Sequence, residues 1–110
     1  MLCSIKSKRK IETLFNSGKG VKVKGLLIKY YNFNDNEICF GVSVPKKLFP
    51  SAVKRNLIKR RLRAQTKKSG LGTFFNNGAS FFVVYGASNV LSSKEILDRL
   101  EKVVLKLKAV

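Results

Sequence analysis

Residues 44–68 read VPKKLFPSAVKRNLIKRRLRAQTKK. Ten of these residues are lysine or arginine and none is acidic. Disordered basic segments are poor in apolar side chains, whereas this run carries Leu, Phe, Val and Ile residues that can pack against a core. Pro50 followed by Ser51 is a helix-start signal, with Ser51 as the N-cap. The sequence therefore predicts a helix that begins at Ala52 and continues to about Thr66.

The predicted helix has two different sides, because residues three and four positions apart share a face. Leu57, Ile58 and Leu62 lie on a side that can face a core. The other side is a cationic stripe with the spacing i, i+3, i+4, i+7 and i+11, formed by Asn56, Lys59, Arg60, Arg63 and Lys67. Like charges at this spacing weaken an isolated helix by a few tenths of a kcal/mol per pair. The simplest reason to keep such a stripe is a polyanionic partner.

The composition supports the same conclusion. The chain has 110 residues, a formal net charge of +17 and no histidine, and 45% of its residues are hydrophobic. This length predicts a single domain over residues 1–110 with a small core. No acidic residue occurs between Glu37 and Glu95. A charge this high predicts an anionic partner, either nucleic acid or an anionic membrane surface.

Cysteine usage and the N-terminus bear on the cellular compartment. Cys3 and Cys39 are the only cysteines, and without histidine or CxxC spacing they form neither a zinc site nor a disulfide framework. We expect both thiols to be reduced. The N-terminus lacks the apolar core of a signal peptide, and no stretch is long enough to span a membrane. These features predict a cytoplasmic protein.

Apolar periodicity predicts the remaining elements. They are a helix at residues 7–17, strands at 21–31 and 38–44 joined by a turn at 32–36, a loop at 68–78, a central strand at 79–85 and a last helix from Ser92. Ser92 and Glu95 have capping-box spacing. The two earlier strands should form an antiparallel hairpin. The order α-β-β-α-β-α predicts a small two-layer α/β sandwich, with the first and last helices on one face of the sheet.

Two short patterns have alternative interpretations. Ile11 and Phe15 lie on one side of the first helix, where they either pack in the core or present an aromatic edge to a nucleic-acid base. Lys29 and Tyr31 share one face of a strand. They are either ordinary residues of a solvated face or the charge and stacking surface that single-stranded nucleic acid uses. The residues alone leave both choices open.

The chain has few groups for catalysis. It has no histidine for acid–base work, and no glycine-rich phosphate loop of known spacing. Asp98 and Glu101 are helical neighbours of Arg99 and Lys102, which makes them ion-pair partners rather than metal ligands. We therefore predict no catalytic residue and no protein metal site. Binding of a polyanion is the function that remains.

Residues 55–63, RNLIKRRLR, resemble the signature of the protein subunit of bacterial ribonuclease P, roughly R-N-R-x-K-R-x-x-R. The lead-in SVPKK at residues 43–47 and the AV pair at 52–53 are also similar to that family. The resemblance covers nearly the whole chain in element order, size and charge. It implies a mixed sheet with an unusual left-handed β-α-β crossover that carries the signature helix, and it allows one further short strand. Leu57 departs from the signature arginine, Ile11 from a frequent aromatic residue and Ala64 from a frequent acid.

The resemblance also implies a role. In that family the RNA subunit is the catalyst and uses Mg²⁺, held mainly by the RNA, to remove the 5′ leader of precursor tRNA. The protein binds this RNA and the leader, with no membrane partner and no small-molecule cofactor. The predicted RNA-binding residues are Lys46, Lys47, Lys54, Arg55, Asn56, Lys59, Arg60, Arg63 and Lys67. The predicted leader cleft contains Ile11, Phe15, Lys29 and Tyr31.

Three other functions are compatible with parts of the pattern. A ribosomal or nucleoid-type architectural protein would explain the charge equally well, and it predicts RNA or DNA binding with no linked reaction. A membrane-surface protein is permitted by a basic amphipathic helix, but the well-patterned core elements argue against it. A self-sufficient nuclease lacks catalytic groups.

Overall fold

The computed structural model describes residues 2–5, 7–33, 38–71 and 79–108. The predicted turn at 32–36 and the predicted loop at 68–78 lie partly outside these residues. The elements that position the candidate site are β1 (Leu2–Ser4), α1 (Lys8–Ser17), β2 (Lys19–Val23), β3 (Leu26–Asn32), β4 (Ile38–Ser43), α2 (Ala52–Lys68), β5 (Ala79–Tyr85) and α3 (Ser93–Lys108).

The strands form one mixed sheet in the order β1-β4-β5-β3-β2. Strand β5 is parallel to β4 and antiparallel to β3, while β1 is parallel to β4 and β2 is antiparallel to β3. The mixed sheet implied by the resemblance is confirmed, and α2 is the crossover that joins the parallel strands β4 and β5. The left-handed sense of this crossover stays a prediction.

Two predictions about strand pairing are wrong. Strands β3 and β4 are not a hairpin, because β5 lies between them. The single strand predicted at 21–31 is in fact the antiparallel pair β2 and β3, joined by a turn at Lys24 and Gly25. Gly25 has a φ of 85°, a left-handed conformation that glycine adopts without steric cost. The alternating pattern runs through this turn, so the sequence hid it.

The main core lies between one face of the sheet and helices α2 and α3. Phe81 and Val83 of β5 are fully buried there together with the apolar residues of both helices, among them Ile58, Leu62, Ile96, Leu100 and Val103. Burying a side chain of this size stabilises the fold by about 1.5–3 kcal/mol. The predicted apolar faces of both helices are confirmed, with Leu57 only half-buried.

Helix α1 covers the opposite face of the sheet. Its Phe15 ring contacts Phe82, with centroids 5.3 Å apart, and Phe82 alternates with the core residues Phe81 and Val83 along β5. Leu14 is fully buried on this side. The prediction that the first and last helices share a face is therefore wrong. The central strand β5 is apolar on both faces, as predicted, and both faces need a cover.

The predicted helix starts are confirmed. The Ser51 hydroxyl accepts a hydrogen bond from the Lys54 backbone N–H at 3.4 Å. Ser92 and Glu95 form the full capping box: the Glu95 N–H donates to Ser92 Oγ and the Ser92 N–H donates to the Glu95 carboxylate, each at 3.2 Å. Helix α2 thus begins with a single cap and α3 with a reciprocal one.

Cys39 is disulfide-bonded, so the prediction of a reduced thiol is wrong for this residue. The backbone of Cys3 lies opposite Cys39 in the β1–β4 register. Spacing along the chain could not reveal this, because the apolar pattern did not predict strand β1.

In the part of the chain that the structure describes, no helix has the length and apolarity needed to cross a membrane.

Candidate nucleic-acid interface

The predicted cationic stripe lies on the solvent side of α2. Arg60 follows Ile58 by two residues, which turns it to the opposite side of the helix from the core. The helix contains eight lysine and arginine residues and no acid. Its outward side chains are the exposed Asn56, Arg60, Arg63 and Lys67 and the half-buried Lys59. They form a continuous surface of positive charge about three turns long.

The lead-in to α2 is a compact turn. The backbone N–H groups of Leu48 and Phe49 both donate to the Pro45 carbonyl at 3.2 Å. Phe49 is buried, and its ring centroid lies 5.7 Å from that of Tyr85. Lys46 and Lys47 are exposed on this turn. The lead-in is therefore anchored in the core at one side and presents two cations at the other.

Two arginines of α2 are bound to the protein itself. Arg55 Nη1 donates to the carbonyls of Phe49 and Pro50, each at 2.9 Å. Arg61 Nη1 donates to the Leu91 carbonyl at 2.7 Å. Both guanidinium groups are thereby tied to loops that flank the helix. Helical spacing had placed neither arginine on the stripe, and only Arg55 was predicted to bind RNA, through the family signature.

The predicted cleft residues lie on α1 and on β3, two elements that pack against each other. Ile11 and Phe15 of α1 and Lys29 and Tyr31 of β3 all retain solvent-accessible surface, with Phe15 40% exposed. The strand register places Lys29 beside Phe82, and Phe82 contacts Phe15 edge to face. A cation and two aromatic rings thus adjoin on the face of the sheet that α1 partly covers.

Glycine makes room for the ring in this cleft. Gly41 of β4 lies beside Phe82 in the register, and a Cβ at Gly41 would lie 2.2 Å from the Phe82 ring. Any other residue at this position would therefore displace the ring. Phe82 was missed by sequence reasoning, which treated β5 only as a buried strand. The period-2 alternation that separates Phe82 from Phe81 was the available signal.

A second aromatic group lies at the end of β3. The rings of Tyr31 and Phe33 contact each other with centroids 4.9 Å apart. The Lys10 ammonium of α1 lies 5.2 Å from the centre of the Phe33 ring, within the range of a cation–π interaction. Phe33 and Lys10 were not predicted, because Phe33 falls in a turn-like stretch of asparagines. They extend the aromatic and cationic character of the cleft.

The acidic side chains of α3 form no metal site. Glu95 caps its own helix, and hydrogen bonds from Ser92 hold the pKa of its carboxyl below the usual value. Asp98 pairs with Lys102 at 3.4 Å. Across the described ranges, no group of three or more Asp, Glu, Cys or His side chains could hold a metal ion. The described part of the molecule presents a cationic helix and an aromatic cleft.

The comparison with known families agrees with this geometry. The family model Ribonuclease P matches residues 2–108. This chain belongs to the ribonuclease P protein family. It is 31% identical over 103 residues to the ribonuclease P protein component of Borrelia turicatae (strain 91E135), which covers 93% of this chain and 89% of that relative. It is 32% identical over 108 residues to that of Acholeplasma laidlawii (strain PG-8A), covering 97% and 90%.

Solved structures of ribonuclease P proteins share the fold. The protein from Staphylococcus aureus matches with a TM-score of 0.78 and 24% identity, over 96% of this chain and 94% of that one. The protein from Thermotoga maritima matches with a TM-score of 0.75 and 16% identity, over 97% and 96%. The predicted fold class and family are confirmed. The chain is a protein subunit of ribonuclease P, an endoribonuclease, and ribonuclease P RNA is its partner.

Proposed function

We propose that this ribonuclease P protein uses two separate surfaces for two RNAs. The cationic stripe of α2 and its lead-in bind the catalytic RNA, and the cleft between α1 and β3 holds the single-stranded 5′ leader of precursor tRNA. The holoenzyme removes the leader endonucleolytically and so generates the mature tRNA 5′ end. The observation that carries the proposal is the presence, in a member of this family, of an acid-free cationic helix and a distinct aromatic cleft. We place this activity in the cytoplasm.

The α2 surface suits a folded RNA because it offers charge in a fixed arrangement. Each phosphate that a lysine or arginine neutralises releases condensed counterions, and log K falls by roughly 0.7–0.9 per contact per tenfold rise in salt. The four cations of the stripe together with Lys46 and Lys47 offer six such contacts. Binding should therefore depend steeply on salt. The α2 surface is a row of charges on a helix, and this arrangement fits contacts to the RNA backbone.

The cleft suits an unpaired strand. An aromatic face adds about 1–3 kcal/mol per stacked base and accepts any base. Phe15 and Tyr31 are open enough to stack, while Phe82 supports Phe15 from below. Lys29 lies in the same row and can neutralise a leader phosphate. This combination holds single-stranded RNA with little dependence on its sequence.

The protein's own residues bind and orient the RNAs, and the bond cleavage belongs to the RNA. We propose that Mg²⁺ is held mainly by phosphates of the catalytic RNA, where it would activate the attacking water and stabilise the leaving oxygen. By neutralising phosphates nearby, the cations of α2 let the two RNAs approach each other at low Mg²⁺. Positioning the leader fixes the cleavage site relative to that centre.

The test is precursor tRNA processing with a bacterial ribonuclease P RNA at low Mg²⁺ and physiological salt. We expect release of the leader to require both the protein and the RNA. Arg60→Gln should weaken binding of the ribonuclease P RNA. Phe15→Ala should leave that binding intact and weaken binding of precursor tRNA, but not of leaderless mature tRNA, to the holoenzyme. Tight RNA binding with no stimulation of cleavage would overturn the proposal in favour of an architectural RNA-binding protein.

A further inference from the structure

The side chain of Arg55 is directed toward the protein, unlike those of Arg60 and Arg63 in the same signature. It lies three residues before Ile58 and therefore on the flank of the buried face of α2, not on the stripe. Its guanidinium is half-buried and donates to the carbonyls of Phe49 and Pro50, each at 2.9 Å. These carbonyls belong to the lead-in turn. Within the described part of the chain, the side chains of the exposed Arg60 and Arg63 make no hydrogen bond to the protein.

We infer that Arg55 is a positioning residue that acts on RNA through Lys46 and Lys47. It locks the lead-in turn onto the first turn of α2, so that the two lead-in lysines and the stripe form one rigid phosphate-binding surface. The inference rests on the proposed function, and it assigns to a signature arginine a partner inside the protein instead of a phosphate.

The lead-in is held at three points, and Arg55 supplies the one that faces α2. Phe49 is buried against Tyr85, and the Pro45 carbonyl accepts the two N–H groups of Leu48 and Phe49. The bond to the Phe49 carbonyl is partly buried, where an acceptor requires a donor, whereas the bond to the Pro50 carbonyl is exposed. A guanidinium provides charge-assisted hydrogen bonds, which are stronger than neutral ones.

Rigidity of the lead-in matters because lysines on a mobile turn lose freedom when they meet RNA. A surface that is ordered beforehand avoids this cost and binds more tightly with the same contacts. Without Arg55 the turn would keep its lysines but not their position relative to the stripe. The affinity lost would then be that of the Lys46 and Lys47 contacts.

The first measurement needs no RNA. Hydrogen exchange of the Leu48 and Phe49 amides reports on the turn directly. In Arg55→Gln we expect both amides to exchange faster, and in Arg60→Gln, which removes an exposed cation, we expect no change. Unchanged exchange in Arg55→Gln would overturn the inference.

The second measurement is a double-mutant cycle on affinity for ribonuclease P RNA at fixed salt. Arg55→Gln should weaken binding about tenfold in the wild-type background and less than about twofold when Lys46→Gln and Lys47→Gln are already present. Arg60→Gln should weaken binding by the same factor in both backgrounds. Equal losses for Arg55→Gln in both backgrounds would mean that Arg55 contacts RNA itself.

Two controls separate positioning from general destabilisation. Arg61→Gln removes another arginine that is bound to a carbonyl, that of Leu91, but far along the helix from the lead-in. It should lower the melting temperature and show no coupling to the lead-in lysines. Lys67→Gln, at the other end of the stripe, should combine additively with Arg55→Gln. Equal coupling of Arg55 to Lys67 and to the lead-in lysines would reduce its role to overall stability.

The proposed function fails separately from the inference. If the wild-type protein does not bind ribonuclease P RNA, the proposed function is overturned. The part of the inference that concerns RNA binding is then overturned with it. The exchange measurement still decides whether Arg55 holds the turn.

Discussion

Helices α2 and α3 pack against each other and against the same face of the sheet, yet their outer surfaces are opposites. Helix α2 has eight basic residues and no acid. Helix α3 has three of the six acids of the chain, Glu95, Asp98 and Glu101, interspersed with basic residues. Their inner faces serve the same core. The difference lies in what faces outward, and it distinguishes the helix that we propose binds RNA.

The comparison shows where each helix finds its stability. The polar residues of α3 stabilise α3 itself, through the Ser92–Glu95 capping box and the Asp98–Lys102 pair. Helix α2 has a single hydrogen bond at its N-cap and carries like charges at helical spacing, which repel. It is held instead from outside, by its buried face and by the loops that Arg55 and Arg61 bind. Helix α2, whose charges do not stabilise it, therefore depends on tertiary contacts.

The largest loss of stability should follow from truncating side chains of the core that α2 and α3 share. Leu100→Ala in α3 removes a fully buried side chain and should lower the free energy of unfolding by about 2–5 kcal/mol. Leu62→Ala in α2 should cost a similar amount, since both residues are fully buried in the same cluster. Urea unfolding checks both. A cost below about 1 kcal/mol at either position would show that the two inner faces are not equivalent.

A charge reversal on the outer face should weaken RNA binding much more in α2 than in α3. Arg60→Glu should weaken binding of ribonuclease P RNA by about 2 kcal/mol or more and change the stability by less than about 0.5 kcal/mol. Lys94→Glu makes the same change of net charge on an exposed position of α3 and should weaken binding much less. Filter binding and thermal unfolding of both variants give the answer. Equal losses of affinity would mean that net charge alone drives binding.

Removing the two N-caps should lower the stability by smaller amounts, and by more in α3 than in α2. Ser92→Ala removes one half of a reciprocal box and should cost about 1 kcal/mol. Ser51→Ala in α2 removes a single, longer hydrogen bond of 3.4 Å and should cost less. Thermal unfolding of the two variants, each against wild type, measures the difference. A larger cost at Ser51 would contradict the view that α2 relies little on its own end.

The capping box should also make α3 sensitive to acid. Hydrogen bonds from Ser92 lower the pKa of Glu95 from its ordinary value of 4.5. The folded-state pKa is thus below the unfolded one, so this contribution is present above pH 4.5 and is lost as the pH falls through the folded-state pKa. At neutral pH the melting temperature of the wild type should be higher than that of Glu95→Gln. The difference should close as the pH falls below the folded-state pKa of Glu95. A gap that is constant with pH would rule out the carboxylate as its source.

The smallest effect belongs to the surface ion pair of α3. Asp98 and Lys102 are 65% and 64% exposed and lie 3.4 Å apart. An exposed pair at i, i+4 contributes about 0.3–0.5 kcal/mol. A double-mutant cycle with Asp98→Asn and Lys102→Gln should return a coupling of this size at low salt and almost none at high salt. Persistence of the coupling in high salt would indicate a less solvated pair.

Local features of the chain could be predicted from the sequence, because they depend on neighbours a few residues apart. The cap at Ser51, the box at Ser92, the apolar period of α3 and the two-sided burial of β5 are all of this kind. The outward direction of the α2 stripe follows from the same helical arithmetic.

Features that depend on distant parts of the chain could not be predicted. The insertion of β5 between β3 and β4 is decided by packing on both faces, and local patterns carry no information on strand order. Helical spacing separates Arg55 from the stripe that contains Arg60, but the bonds of Arg55 to the lead-in carbonyls depend on the path of the loop before α2. Phe82 joins the cleft because α1 covers the face that β5 turns away from the main core.

The central place of β5 has a consequence for how the protein is made. Residues 79–85 leave the ribosome after the other four strands, and until then the nascent chain can form only the β1–β4 and β2–β3 pairs. Two-stranded ribbons of this kind are marginal in water. The arrival of β5 joins them in one step and at the same moment completes the row of Lys29, Phe82 and Gly41. The cleft therefore comes into existence only when the sheet closes, and a chain stopped before β5 has the basic sequence of α2 but neither the core that supports this helix nor the cleft.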